Sequence, residues 1–342
     1  MTTLATLRDA PGVVGTARRH RAGPAVAGLA VAVVVSAIVS VLVGAEPIRP
    51  AAVLDSTDPE HAIAMARLPR TALALAVGAA LGLAGACLQG LARNPLADPG
   101  ILGINAGAAF AMVLAISMLG VASLSSYVWF AFAGAAVAMA LVHGIASLGR
   151  EGATPVKLAI AGAALTAGLT SWTSAVLLTD RQTMEVFRFW QVGTVGGRDL
   201  DVLLLGGPFL LVGVVLALIS TRLLNALALG DELARGLGRR VLRDRLVLGL
   251  AVTLLAGTAT ALAGPIAFVG LIVPHAVRAV AGPDYTRVLP LSLGYGAVLV
   301  VLADTLGRVV LPPTEVQVGI MTAVVGVPAF LWLVRRGRTA SL

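Results

Sequence analysis

Residues 71–92 read TALALAVGAALGLAGACLQGLA, a run of 22 residues with no charged side chain between Arg70 and Arg93. An α-helix rises about 1.5 Å per residue, so about 20 apolar residues cross the roughly 30 Å of hydrocarbon in a bilayer. Gly78, Gly82 and Gly85 recur at spacings of four and three, which places small residues on one face, where another helix can approach closely. The run therefore predicts a membrane-spanning helix packed inside a bundle.

The same pattern continues along the 342-residue chain. Hydrophobic residues make up 58% of it and charged residues 12%, with a mean hydropathy of +0.94, whereas soluble domains carry about 25% charged residues. Apolar runs bounded by charge, Pro or Gly predict an all-α, polytopic membrane protein with about ten transmembrane helices. The predicted spans are 24–44, 69–91, 100–120, 127–148, 156–179, 201–220, 244–263, 266–281, 288–307 and 317–334.

The basic residues indicate how the chain is oriented, because cytoplasmic loops accumulate Lys and Arg. With the N-terminus inside, 18 of the 25 basic residues fall in inner segments and the remaining seven in outer ones. The tail at Arg335–Arg338 also falls inside, which requires an even number of spans. We expect a transmembrane domain at 24–334 in the cell membrane, cytoplasmic tails at 1–23 and 335–342, and a first span that is retained rather than cleaved as a signal peptide.

Several function classes find no support in the sequence. The basic residues form no face for nucleic acid, and the single Cys87 offers neither a disulfide nor a cysteine metal site. The four histidines lie far apart, and no phosphate loop or catalytic motif occurs. We therefore expect no cofactor, no metal and no catalytic residue. If the chain is an active transporter, its energy must come from a partner or from an ion gradient.

Ionisable residues within the spans bear on that choice, because a proton- or ion-coupled carrier is expected to bury them for function. Almost all acids here lie in loops or at span ends, with Asp304 the main exception. Arg308 follows it by one helical turn, and such an i,i+4 pair neutralises both charges. The pattern weakens the reading as a carrier that works alone.

The segment 230–240, GDELARGLGRR, is a polar insert between the sixth and seventh predicted spans. Asp231 and Glu232 favour the start of a helix, and Gly236 or Gly238 favours its end. A short amphipathic helix there would present Leu233, Ala234 and Leu237 to a partner. A solvated connecting loop is an equal alternative from this feature alone.

The stretch 266–281 is short and contains Pro274, and Gly264-Pro265 precedes it. Broken helices are tolerated in a membrane only against protein or a water-filled cavity. The stretch is therefore a candidate for the pore or a subunit contact, with a simple kink as the alternative.

Several motifs occur together in a fixed order. They are 67–70 (RLPR), 85–90 (GACLQG) leading into 93–103 (RNPLADPGILG), 230–238 (GDELARGLG), 264–275 (GPIAFVGLIVPH) and 315–328 (EVQVGIMTAVVGVP) before Phe330-Leu331-Trp332. Over roughly residues 20–336 the sequence resembles the FecCD family, the permeases of importers for ferric siderophores, haem and cobalamin. The resemblance implies a fold like that of the cobalamin-importer permease.

The resemblance also implies partners. It predicts a second permease subunit, either a copy or a paralogue, a cytoplasmic dimer of ATP-binding-cassette ATPases, and an extracytoplasmic substrate-binding protein. The insert would dock in the ATPase as a coupling helix. The residues assigned to that role are Gly230, Asp231, Glu232, Leu233, Ala234, Leu237 and Gly238.

Three arginines match positions that hold acidic residues of the binding protein in the family: Arg67, Arg70 and Arg308. A guanidinium group offers carboxylates a planar bidentate fork. The alternative is that these arginines anchor the chain at the membrane interface, and for Arg308 that it pairs with Asp304.

The fifth span matches the one that lines the central path in the family, and Thr154-Pro155 before it resembles the inner gate. The hydroxyls of Thr166, Thr170, Ser171 and Thr173 could meet a passing chelate, but hydroxyls in spans equally bond their own backbone, so we assign them no binding role. The resemblance implies the permease of an importer, and a ferric siderophore is the favoured cargo because such systems are the commonest in the family. A haem or cobalamin permease, an ion-coupled carrier and, least favoured, an intramembrane enzyme are the alternatives.

Overall fold

A computed structural model describes residues 22–121, 123–148, 154–236, 238 and 240–335, and all regular structure within these ranges is helical. The helices are α1 (Ala22–Leu42), α2 (His61–Ala92), α3 (Ile104–Leu119), α4 (Leu124–Ala146), α5 (Pro155–Thr179), α6 (Arg181–Gln191), α7 (Leu200–Ile219), α8 (Thr221–Ala228), α9 (Asp231–Gly236), α10 (Val241–Val252), α11 (Thr258–Ala263), α12 (Val269–Ala281), α13 (Tyr285–Val309) and α14 (Val318–Arg335). Short 3-10 turns form at Pro50–Val53 and Pro99–Leu102, and a π turn at Thr253–Gly257 joins α10 to α11.

The helices coincide with the predicted spans. Within the described residues, six helical segments are long and apolar enough to cross a membrane, counting α10 to α11 as one, and four shorter apolar helices occupy the remaining predicted positions. The all-α fold with about ten spans is therefore confirmed. Most of the two predicted tails, 1–21 and 336–342, lies outside the described residues.

The second helix is longer than its apolar run predicts. It begins at His61 rather than near residue 69, so Arg67 and Arg70 lie inside it together with Pro69. At 1.5 Å per residue its 32 residues extend about 48 Å, more than the roughly 30 Å of hydrocarbon. The apolar run marks where the helix enters hydrocarbon and not where the helix begins.

Helix α2 lies at the centre of the bundle and packs closely on α13. A Cβ atom added at Gly78 would overlap the carbonyl oxygen of Gly296, and one added at Gly82 would overlap that of Ser292. Gly85 is equally close to Gly270 of α12. The small-residue face predicted from the sequence is the surface through which α2 contacts its neighbours.

The broken stretch before and within α12 is buried against α2. Pro274 has no N–H to donate to the carbonyl of Gly270, one turn earlier. The Nε2 of Gln89 donates to that carbonyl at 3.1 Å and to the carbonyl of Leu271 at 3.2 Å. Arg278 donates to the Oε1 of Gln89 at 2.5 Å and so orients the amide. Protein groups thus satisfy the carbonyl that the proline frees.

Candidate functional site

The three predicted arginines meet at one end of α2 and α13. Arg70 donates from Nε to Oδ2 of Asp304 at 2.9 Å and from Nη2 to Oδ1 at 2.9 Å. The Nε of Arg308 lies 3.3 Å from Oδ2 of the same carboxylate, so the predicted pair between Asp304 and Arg308 is confirmed. We call Arg67, Arg70, Asp304, Arg308 and Glu315 the arginine cluster.

Arg70 joins a buried carboxylate to an accessible one. Its Nη1 donates to Oε2 of Glu315 at 2.7 Å. The side chain of Glu315, between α13 and α14, is 40% exposed, whereas that of Asp304 is 1% exposed. Because the cluster holds three guanidinium groups and two carboxylates, it carries one net positive charge. Arg70 is the arginine of the cluster that lies at its accessible edge.

Arg67 and Arg308 are turned into the protein. Arg67 donates to the carbonyl of Val41 at 3.0 Å and to that of Glu46 at 2.6 Å, where α1 ends. Arg308 donates to Ser40 Oγ at 2.8 Å and to Thr305 Oγ1 at 3.1 Å. Both side chains therefore serve internal carbonyl and hydroxyl partners that the sequence pattern did not show.

The predicted helical insert forms at the opposite end of α2, as helix α9. The helix follows Gly230 and ends at Gly236. Gly230 has φ +109° and Gly238 has φ +77°. Leu237 lies outside the described residues. Glu232, Leu233 and Arg235 are exposed, Leu233 by 60%. Ala234 is fully buried, so the expectation that it faces a partner is corrected: a helix this short needs one side chain packed on its own chain.

The first residue of α9 forms two ion pairs. The carboxylate of Asp231 accepts from Nη2 of Arg245 in α10 at 2.9 and 3.0 Å, and it also accepts from Nη2 of Arg93, which follows α2. Burial lowers the pKa of Arg93 from its ordinary value, and repulsion from Arg245 lowers it further by a smaller amount. We call these three residues the Asp231 junction. Arg93 lies in the motif at 93–103, but the sequence pattern indicated no role for its side chain.

The predicted gate residues begin α5. The Oγ1 of Thr154 accepts a hydrogen bond from the amide of Lys157 at 3.4 Å, and Pro155 is the first helical residue. This is the arrangement expected of an N-cap followed by proline. Residues 149–153 of the same loop lie outside the described part of the chain.

The hydroxyl groups of α5 bond their own helix where the structure gives their partners. Ser171 donates to the carbonyl of Ala167 at 2.9 Å, and Thr173 donates to that of Leu169 at 2.8 Å. Large apolar side chains such as Ile160 and Trp172 are exposed on the same helix. Helix α5 therefore presents a mainly apolar surface.

A cavity of about 340 Å³ lies beside the start of α5. It is lined by the end of α2, the turn at Pro99–Leu102 and α5 residues that include Leu158. Asp98 faces it and accepts a hydrogen bond from the amide of Gly100 at 2.8 Å, and burial raises the pKa of this carboxyl. Among the described residues no group of three His, Cys, Asp or Glu side chains is placed to hold a metal ion.

Comparison with known proteins identifies the family. The model of the FecCD transport family matches residues 32–336. The chain is 45% identical over 279 residues to a siderophore transport system permease protein of Bacillus subtilis, YfiZ. The matched region covers 81% of this chain and 84% of that protein. It is 42% identical over 319 residues to the ferric enterobactin transport system permease protein FepD of Escherichia coli, covering 91% and 95%.

A solved structure shares the fold. It is described as an inward-facing conformation of a metal-chelate type ABC transporter and matches with a TM-score of 0.81 and 28% identity, over 92% of this chain and 99% of that one. The family match and this structure agree with the all-helical membrane fold of the described residues. The chain therefore belongs to the FecCD transport family and is a multi-pass membrane protein.

Proposed function

We propose that this chain is the permease subunit of an ATP-binding-cassette importer that carries a ferric siderophore across the cytoplasmic membrane. The observation that carries the proposal is the family match over residues 32–336, together with relatives whose names specify siderophore and ferric enterobactin transport. The chain forms the pore and performs no covalent chemistry. ATP hydrolysis takes place on separate ATPase subunits.

The Asp231 junction end of the molecule faces the cytoplasm in this proposal. There α9 docks in the ATPase dimer, with Glu232, Leu233 and Arg235 as the exposed contacts. Gly230 and Gly238, both with positive φ, allow the sharp turns on either side of this coupling helix. Both chain termini lie on the same side, in agreement with the distribution of basic residues.

The arginine cluster faces the extracytoplasmic binding protein. The outward N–H group of Arg70 is bound by the accessible carboxylate of Glu315. An acidic side chain of the binding protein can therefore displace Glu315 and bind this N–H group in its place. Arg67 and Arg308 act from inside, since they keep the cluster positive and hold Arg70 and Asp304 in place. Docking then depends on all three arginines although one of them makes the contact.

The exposed apolar surface of α5 faces the second permease subunit, a copy or a paralogue, and the central path between the two. Thr154 and Pro155 then lie at the cytoplasmic mouth of that path, where the rigid start of α5 forms part of the gate. A path with few free hydrogen-bonding groups suits a bulky chelate, because tight binding along the path slows release.

An ion-coupled carrier is the second candidate, since Asp304 is a carboxylate within a span. Two guanidinium groups compensate its charge, so it is poorly suited to exchange protons during transport. A haem or cobalamin permease remains the alternative for the cargo.

Competition for uptake tests the cargo. Liposomes that contain this chain, its ATPase and its binding protein are given radiolabelled ferric enterobactin, ferric citrate, a ferric hydroxamate, haem or cobalamin. The proposal expects ATP-dependent uptake of at least one ferric siderophore, and unlabelled haem and cobalamin should not compete. Uptake of haem or cobalamin alone contradicts the assignment of cargo.

A further inference from the structure

Helix α2 connects the two candidate sites directly. Arg67 and Arg70 lie in its first third, and Arg93 follows its last residue. The helix is about 48 Å long by its 32 residues and is largely buried, with close backbone contacts to α12 and α13. Such a helix moves as a unit, because close-packed interiors have little room for local deformation.

The backbone at Arg93 is unusual for a side chain of this kind. Arg93 has φ +46°, the left-handed conformation, and occupies the position of a Schellman motif where glycine is usual. The amide of Asn94 donates to the carbonyl of Gln89 at 3.1 Å, and that of Arg93 to the carbonyl of Gly90 at 3.4 Å. An arginine is disfavoured in this conformation, so its side chain has a use that offsets the cost.

That use is visible in the Asp231 junction. The guanidinium group of Arg93 reaches Asp231 at the start of α9, and the same carboxylate is held by Arg245 from α10. Without Asp231 the two arginines would face each other without a compensating charge. One carboxylate therefore joins the end of α2, the short helix α9 and the start of α10.

We propose that Asp231 is a positioning residue that holds the coupling helix α9 to α2 and α10 through Arg93 and Arg245, so that displacement of α9 by the ATPase is transmitted along α2 to the arginine cluster. The inference rests on the proposed function for the partner that moves α9, whereas the ion pairs belong to this chain. A six-residue helix has little stability of its own. The ion pairs and the buried Ala234 therefore make α9 move together with α2 and α10.

The variant Arg93→Gly separates the ion pair from the backbone conformation. Glycine adopts positive φ freely, so the Schellman motif is kept and folding is not impaired. In liposomes with the ATPase and binding protein, we expect the ferric siderophore carried per ATP hydrolysed to fall about tenfold. Arg93→Lys should recover part of the ratio. Arg222→Gln, which removes an exposed cation from the neighbouring helix α8, should leave the ratio unchanged.

Hydrogen–deuterium exchange of residues 231–236 in lipid nanodiscs gives a readout that does not depend on transport. The amides of α9 should exchange faster in Arg93→Gly than in the wild type or in Arg222→Gln. Unchanged exchange in α9, or a wild-type ratio of substrate to ATP in Arg93→Gly, overturns the proposal. If the wild-type complex shows no ATP-dependent uptake, the proposed function fails instead, and the exchange measurement alone still decides whether the ion pairs hold α9.

Discussion

Arg70 in α2 forms a bidentate ion pair with Asp304 in α13, 234 positions later in the chain. Arg308 approaches the same carboxylate from one turn further along α13. Asp304 therefore organises the arginine cluster, because it is the buried anion that two of the three guanidinium groups share.

Replacing Asp304 by Asn should destabilise the protein strongly. The change removes the shared carboxylate and leaves buried guanidinium groups without compensation, which costs about 3–5 kcal/mol for buried ion pairs. Thermal unfolding of the purified chain in detergent measures the effect. Asp55→Asn is the matched control, because Asp55 is exposed and its side chain bonds its neighbour Thr57. Equal melting temperatures for the two variants would show that Asp304 has no organising role.

Replacing Glu315 by Gln should strengthen binding of the substrate-binding protein. The neutral amide competes less well for the Nη1 of Arg70, so an acidic side chain of the partner reaches it more easily. We expect Kd to fall several-fold in nanodisc binding assays, and Arg70→Gln to raise it. Glu185→Gln, an equal charge change on the exposed face of α6, serves as the control. Weaker binding by Glu315→Gln would mean that Glu315 itself contacts the partner.

Replacing Gln89 by Leu should lower the free energy of unfolding, because Pro274 leaves a carbonyl of α12 without a donor from its own helix. The carbonyl of Gly270 loses its donor, and an unsatisfied buried carbonyl costs about 1–3 kcal/mol. In a Pro274→Ala background the helix regains its own N–H donor, so the same replacement should cost less. A double-mutant cycle on unfolding free energies measures the difference. Simple additivity of the two changes would contradict the explanation.

Replacing Gly78 by Ala should disrupt the contact between α2 and α13. The added methyl group meets the backbone of Gly296, which cannot move aside as a flexible side chain does. Overpacking of this kind typically costs about 1–3 kcal/mol. Gly28→Ala in α1, where nothing lies within 4 Å of the new methyl group, is the control. A Gly78→Ala protein as stable as the control would place the two helices further apart.

The positions of the spans were predictable from the sequence, because long apolar runs have few alternatives to a membrane helix. The start of α2 at His61 was not, since helix outside hydrocarbon leaves no apolar signal. Helix α6 also escaped prediction: its apolar residues lie on one face between two spans, and the run is too short to stand out.

The candidate sites were predictable in part. The pair between Asp304 and Arg308 follows from local spacing, and the motifs named all three arginines. The pairing of Arg70 with Asp304 depends on the packing of two helices distant in sequence, which spacing does not reveal. The left-handed conformation of Arg93 was equally hidden, because its usual signal is glycine or asparagine.

Uptake of radiolabelled ferric siderophore into liposomes containing this chain with its ATPase and binding protein tests the central claim most directly. The account predicts uptake only when ATP is present on the ATPase side, and its loss when the ATPase is replaced by a variant unable to hydrolyse ATP. Uptake that persists without ATP and follows an imposed proton or sodium gradient would contradict the importer assignment and favour a coupled carrier.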